Sequence, residues 1–193
     1  MKSLRWHDNP QGLEPLAAQA TDYALHMMKT TGSVPPTAIA VTDEGLIFCM
    51  PNDLANEAAK DRFAEVARLL ATAYCARALV MIVEAWATMP DANGHLDTNT
   101  PPSQSPNRRE IVALMLEDHN RSATRLLPIQ RDVAGTFTKF DDTQPLQYGE
   151  SSGRFSGLMP RNKPSVREAA KAKATLEALK MNIFNRGIDP NLN

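Results

Sequence analysis

The chain has 193 residues, 42% of them hydrophobic, which favours one globular domain with a core and excludes a wholly disordered chain. Its formal net charge of −1 argues against a protein built mainly to hold nucleic acid, because such proteins carry a strongly basic surface. No apolar run approaches the ~20 residues of a membrane-spanning helix, and residues 1–8 lack the apolar stretch of a secretory signal, so we predict a cytoplasmic protein without membrane contact.

The first part of the chain predicts a helix, a hairpin and a second helix. Apolar residues recur every three or four positions over residues 14–30, the spacing of an amphipathic helix. The apolar runs 37–41 and 46–50 flank a turn sequence and predict two paired strands. Asn52 or Asp53 is placed to cap the second helix. Its apolar seam consists of Ala55, Ala59, Phe63, Val66, Leu70 and Ala73.

The middle of the chain predicts three strands. The first six residues of the segment 78–87 are apolar on both faces, which is typical of a central strand. Residues 110–117 and 122–131 form two further strands around a polar turn, and residues 135–140 can add a last one. Pro128 has no backbone donor, so its strand is expected at an edge or with a bulge there.

The end of the chain is expected to be a linker followed by a helix. Residues 141–163 are rich in Ser, Gly, Pro and Gln and predict a linker or surface loop beyond a core of residues 1–140. Ser165 can cap a basic amphipathic helix over residues 164–187. The predicted seam of that helix is Val166, Ala169, Ala172, Leu176, Leu179 and Ile183.

This order of elements predicts a fold class. Profilin-like domains, including the roadblock group, have a similar order, which serves here only as an analogy of architecture because one fold hosts many functions. We expect a single α+β domain in which an antiparallel sheet of about five strands is covered by helices.

Glu84 is the first candidate for chemistry. Strand alternation places it on one face with Ile82 and Trp86, and a buried carboxylate is costly unless it is paired or protonated. This cost is avoided if the pKa of Glu84 is raised so that the carboxyl is protonated, which would suit acid–base chemistry. The alternative is an ion pair with Arg108, Arg109 or Arg125, or exposure near the strand end.

Two polar segments offer further candidates. The long loop before the second central strand holds Asp91, His95 and Asp97, a spacing that suits a metal, although Asn93-Gly94 between them also forms ordinary turns.

At the loop's end, Arg108 and Arg109 can bind a carboxylate or phosphate, or simply fix the loop.

Asp118 and His119 lie at the tip of the next hairpin, where they suit either a hydrolytic site or a solvated turn.

The C-terminal segment is a candidate docking element. Residues 161–193 hold seven Lys and Arg against three Asp and Glu, and the helix has an apolar end. It can pack on its own sheet, on a second copy or another protein, or on an acidic surface. The predicted binding residues there are Leu176, Leu179, Ile183 and Phe184.

Several common site motifs are absent from the sequence. There is no phosphate-binding glycine loop, no Gly-x-Ser-x-Gly elbow, no His-Glu-x-x-His and no Cys-x-x-Cys. Cys49 and Cys75 lie in apolar surroundings and are expected to act as packing residues. We therefore predict no cofactor and no metal.

Part of the chain resembles a set of bacterial and phage proteins to which no activity is assigned. The shared features are Val-Glu-Ala-Trp at 83–86, Pro-Ser-Gln-Ser-Pro-Asn-Arg-Arg-Glu at 102–110 and Glu-Asp at 117–118. The resemblance implies a bacterial or phage origin. It also implies a strand–loop–strand unit in which Glu84 and the two arginines lie close together.

Three hypotheses for function follow. The first is a non-enzymatic binding or regulatory accessory protein that meets a protein partner or a second copy of itself. The second is a small enzyme with an acid–base or hydrolytic site near Glu84, Arg109 and Asp118. The third, disfavoured by net charge, is a nucleic-acid binder that uses the basic C-terminal helix.

Overall fold

A computed structural model describes residues 9–51, 54–91, 93–141, 145–149, 153–180 and 182–187, which form three helices and eight strands. In chain order these elements are α1 (Leu13–Thr31), β1 (Thr37–Thr42), β2 (Gly45–Met50), α2 (Glu57–Ala73), β3 (Ala78–Thr88), β4 (Arg108–Asp118), β5 (Ser122–Arg131), β6 (Phe137–Phe140), β7 (Gln147–Tyr148), α3 (Val166–Leu179) and β8 (Asn182–Gly187).

The strands form one antiparallel sheet in the order β6-β5-β4-β3-β1-β2-β8, with β7 also paired to β5. The predicted α+β class and the order of the first elements are confirmed. The sheet is wider than predicted because β7 lies in the predicted linker and β8 in the predicted terminal helix.

The sheet carries a separate core on each face. Val80 and Ile82 of β3 point to α1, whereas Leu79 and Met81 point to α2, as the alternation of a strand requires. We call these the α1 face and the α2 face. The first six residues of β3 are buried, which confirms that it is a central strand. Burial on both faces explains why that run is continuously apolar.

The first helix forms close to its expected bounds, whereas α2 begins at Glu57, after Ala55 of its predicted seam. Asn56 caps α2, because its side chain accepts the N–H of Ala59 at 2.8 Å. The caps proposed from sequence, Asn52 and Asp53, lie outside the described residues. Within the described chain, no helix has the length and apolar character needed to cross a membrane.

The prediction of one helix over residues 164–187 is wrong in its second half. Ser165 caps α3 as expected, with a reciprocal bond to Glu168, but α3 ends at Leu179 and Lys180 adopts a left-handed conformation with φ 50°. Ile183 then belongs to β8, which pairs with β2. Helical periodicity failed here because the apolar residues serve a strand that covers the edge of β2.

The segment predicted as a linker or surface loop is partly packed against the domain. Arg154 forms ion pairs with Glu57 at 2.5 Å and Asp61 at 2.6 Å on α2. The ring of Phe155 meets that of Phe63 edge-on, with centroids 6.0 Å apart. Leu158 and Met159 are buried in the core of the α2 face. Residues 153–160 therefore act as a strap across α2 and the sheet.

Pro128 lies in an inner strand and not at an edge as expected, and the irregular pairing of β5 falls between Gln130 and Arg131. The described pairings of β5 with β7 stop at Thr124, and those with β6 begin at Ile129. Pro128 pairs with Ile111 of β4 on the other side. The carbonyl of Pro128 accepts the N–H of Asp141 at 2.8 Å just beyond β6, so the missing N–H of the proline falls where the β5–β6 pairing ends.

Candidate functional site

The β3–β4 hairpin extends beyond the rest of the sheet. In the described pairings, β1 accompanies β3 only as far as Ile82, and β5 accompanies β4 only as far as Ile111. Residues 86–88 and 108–110 continue as a two-stranded ribbon that ends in the loop 89–107, whereas residues 83–85 pair with the part of β4 that still has β5 on its other side. Pro35 and Pro36 precede β1 and lack the N–H groups that would extend its pairing. We call residues 83–110 the arm.

Trp86 and Arg108 form a stacked pair on the α1 face of the arm. The Trp86 side chain is 44% exposed, and the guanidinium carbon of Arg108 lies 4.8 Å from the centre of its ring. Arg108 also donates from Nη1 to the carbonyl of Ser103 in the loop. In the part of the chain that the structure describes, no carboxylate forms an ion pair with Arg108.

Glu84 lies at the base of the arm and is half-buried. Its Oε1 accepts the backbone N–H of Val34 at 2.5 Å. Burial raises the pKa of this carboxyl above its ordinary value; the Val34 hydrogen bond opposes the shift, nearby Glu110 adds to it, and Arg131 opposes it. The carboxylate is therefore held by one backbone donor and faces a second carboxylate.

Glu110 and Arg131 complete this cluster. Arg131 donates from Nε and Nη2 to the two Glu110 oxygens at 2.8 and 2.9 Å, a bidentate pair. The hydrogen bond from Arg131 lowers the pKa of Glu110. Arg131 also donates to the carbonyl of Gly32 at 3.3 Å. We call Glu84, Glu110 and Arg131 the base cluster, and it fastens the arm to the end of α1.

The ion pair predicted between Glu84 and Arg108, Arg109 or Arg125 does not form. Arg109 lies on the opposite face, 3.3 Å from Asp141. Arg125 approaches the hydroxyl of Thr21 at 3.5 Å. Sequence reasoning missed Arg131 as the nearby cation because the pairing register of β4 and β5, which decides which residues become neighbours, was unknown.

The structure does not bring Glu84, Arg109 and Asp118 together. Asp118 pairs with Ala78, so it lies six strand positions from Glu84, roughly 20 Å at the usual rise. Its Oδ1 accepts two backbone N–H groups at residues 120–121, each at 2.8 Å. Asp118 therefore closes the β4–β5 turn.

His119 also has a structural contact. Its Nδ1 lies 2.9 Å from the carbonyl oxygen of Pro160, and a carbonyl can only accept, so Nδ1 donates. This bond ties the hairpin tip to the end of the strap. The turn interpretation of this segment is the one that the geometry favours.

The candidate metal ligands in the loop serve local turns. Asp91 Oδ1 accepts the N–H groups of Asn93 and His95, each at 2.9 Å. Asp97 accepts those of residues 99–100 at 2.9 and 3.2 Å. No cluster of three or more His, Cys, Asp or Glu with metal-binding geometry occurs among the described residues.

The predicted apolar docking face at the C-terminus does not exist as a helix face. Leu176 is 2% exposed and packs into the core of the α2 face, whereas Leu179 is 40% exposed. Ile183 belongs to β8 and packs against the same core. The side chain of Phe184 lies outside the described residues. The helix α3 packs on α2 of its own chain, and only the strand that follows it, β8, joins the sheet.

A second buried carboxylate, Glu117, emerges only from the structure. It is 7% exposed on the α2 face and accepts N–H groups from Gly157 at 2.6 Å, Leu158 at 2.7 Å and Met159 at 3.0 Å. The sequence marked it only as part of a polar hairpin tip. Its partners lie 40 residues or more along the chain, and no local pattern predicts them.

Comparison with known protein families, with curated proteins and with solved structures finds no match for this chain. No relative therefore assigns a role to any residue of the arm or the base cluster.

Proposed function

We propose that this chain is a non-enzymatic binding protein that captures a protein partner through the arm. The observation that carries the proposal is the exposed Trp86 ring stacked beneath Arg108, a cation with no carboxylate partner among the described residues. Tryptophan and arginine are the residue types most enriched at the energetic centres of protein interfaces.

The arm is also prepared for binding before a partner arrives. Arg108 is held by the Trp86 ring and by the Ser103 carbonyl, and the base cluster fixes the root of the ribbon. A side chain that is already ordered loses less entropy when a partner binds. These contacts favour a specific interface over a solvated hairpin.

Selection from a random heptapeptide display library tests the proposal. We expect peptides that bind the intact chain and bind Trp86→Ala at least about tenfold more weakly, the loss of one interface anchor. Leu96→Ala is the matched control, because Leu96 is 46% exposed on the same arm. Failure to enrich any peptide, or enrichment that is equal on Trp86→Ala, would contradict the proposal.

A second candidate function is acid–base catalysis at the base cluster. It is favoured by the opposite pKa shifts of Glu84 and Glu110, because adjacent carboxyls with separated pKa values can serve as acid and base. Glu84→Gln separates the two functions. It leaves peptide binding unchanged if the arm only binds, and it removes turnover of any substrate if the cluster is catalytic.

A further inference from the structure

We infer that the partner binds as an added β-strand along the open edge of β3 between Glu84 and Thr88, an inference that rests on the proposed binding function. The N–H of Met89 donates to Asn107 at 3.0 Å, which places Met89 in a hydrogen-bonded pair with the β4 side. Backbone groups alternate along a strand. Glu84, Trp86 and Thr88 therefore direct their N–H and C=O groups to the side where β1 has ended.

The open edge is short and is bounded at both ends. At one end, Pro35 and Pro36 precede β1, and the Val34 N–H is engaged by the Glu84 side chain. At the other end, the loop 89–107 begins. An extended segment of a few residues fits such an edge, and main-chain hydrogen bonds to it supply affinity in β-strand addition.

A second copy of this chain fits the edge less well than a free peptide. In an antiparallel pair of two β3 strands, the loop 89–107 of each copy would point at the Pro35–Pro36 segment of the other. Both copies have the same bounds, so neither can avoid this contact. We therefore assign the edge to an extended segment of a different protein.

The side chains beside the edge indicate the chemistry of that segment. Arg108 reaches across the Trp86 ring on the α1 face without a carboxylate partner among the described residues, so an acidic side chain on the same face of the added strand would meet the guanidinium. The opposite face presents Ala85 and Ala87, both half-buried against the α2-face core, which suits small apolar residues. The partner segment is therefore extended, acidic and otherwise apolar.

A heptapeptide of alternating Val and Thr with a central Asp, capped at both ends and fluorescently labelled, is the probe. The decisive variant is Thr88→Pro, which removes one outward N–H and leaves the residues that face β4 unchanged. Thr88→Val is its matched control because it keeps that N–H. We expect Thr88→Pro to weaken binding at least about tenfold and Thr88→Val to change it less than about twofold.

Two further measurements do not depend on how Thr88→Pro folds. Two versions of the peptide are compared, one methylated on its odd-numbered and one on its even-numbered backbone nitrogens. One version should lose binding to the intact chain, and the other should keep it. Replacement of the central Asp by Asn should weaken binding to the intact chain but not to Arg108→Gln.

The inference is overturned if the heptapeptide fails to bind at about 1 mM, a weak limit for a specific contact, or if Thr88→Pro binds it normally. It is also overturned if light scattering shows a dimer that Trp86→Ala dissociates, because the occupant would then be a second copy. In each case the library selection with Trp86→Ala still decides the proposed function independently.

Discussion

Glu117 and Glu84 lie on opposite faces of the β3–β4 hairpin and near its opposite ends, and the sheet treats the two carboxylates differently. Glu117 is 7% exposed and accepts three backbone N–H groups from the strap. Glu84 is half-buried, accepts one N–H and faces Glu110. A carboxylate that accepts several backbone N–H groups holds segments of the fold together. A carboxylate with fewer hydrogen-bond partners marks the part of the surface that remains open.

The same contrast holds for the two regions around them. The Glu117 end is covered by α2, α3 and the strap, with Leu158 and Leu176 buried. The Glu84 end carries the arm, whose Trp86 is exposed. Burial alone therefore does not identify a site; the number of hydrogen-bond partners that each buried polar group has distinguishes a structural group from a candidate functional one.

The largest effect is expected from Glu117→Ala. Removing the acceptor leaves three N–H groups of the strap without a partner, so we expect a loss of about 3–5 kcal/mol in the free energy of unfolding, measured by urea denaturation. Glu117→Gln should lose less, because its amide oxygen still accepts. Exposed Glu177→Ala is the control, and a loss below about 1 kcal/mol for Glu117→Ala would remove the contrast with Glu84.

Leu176→Ala should cost about 2–4 kcal/mol, because it leaves a cavity between α3 and the core. Leu179→Ala, three residues along the same helix, should cost less than about 1 kcal/mol because its side chain is 40% exposed. Thermal and urea unfolding of both variants check this. Equal losses would mean that α3 does not pack as the closed region requires.

Arg131→Ala should destabilise the fold by about 1.5–3 kcal/mol, since it breaks a bidentate pair that is about a quarter exposed and also anchors Gly32. Arg131→Lys should recover only part of this, because an ammonium cannot form the two parallel bonds. Chemical denaturation at neutral pH is the measurement. Full recovery by Lys would show that charge alone holds the base cluster.

Glu84→Gln should have the smallest effect and a distinctive pH dependence. The raised pKa of Glu84 means that its contribution to stability is greatest when it is protonated and is lost as pH rises through the raised pKa. Gln keeps the acceptor for Val34 without that loss. Between pH 4 and pH 7 the free energy of unfolding of the variant should therefore rise relative to that of the intact chain. The rise should be at most about 1 kcal/mol for this half-exposed group. A variant that loses stability relative to the intact chain as pH rises would contradict the raised pKa of Glu84.

Local patterns predicted most of the fold. The helical spacing before Thr31, the two-sided apolar run at the start of β3 and the Ser165 cap each act through neighbours close in sequence. The error at β8 arose because Ile183 fits either a helix or a strand by period. Only the open edge of β2, distant in sequence, decides between them.

The candidate site was predictable only in part. The sequence indicates Glu84 as a candidate because a charge interrupts an apolar strand, and the structure places it at the base of the arm. Arg131 and Val34 could not be foreseen as its neighbours, because register and the path of the α1–β1 connection are tertiary properties. The same reason hid the bonds between Glu117 and the strap.

We propose that the Trp86–Arg108 surface binds a partner and is not required for the fold. Urea unfolding and peptide binding of Trp86→Ala, measured on the same preparation, distinguish these two roles. We expect the free energy of unfolding to stay within about 1 kcal/mol of the intact chain, because the ring is 44% exposed, while binding of the selected peptides is lost. A loss of stability of about 3 kcal/mol or more with unchanged binding would contradict the claim.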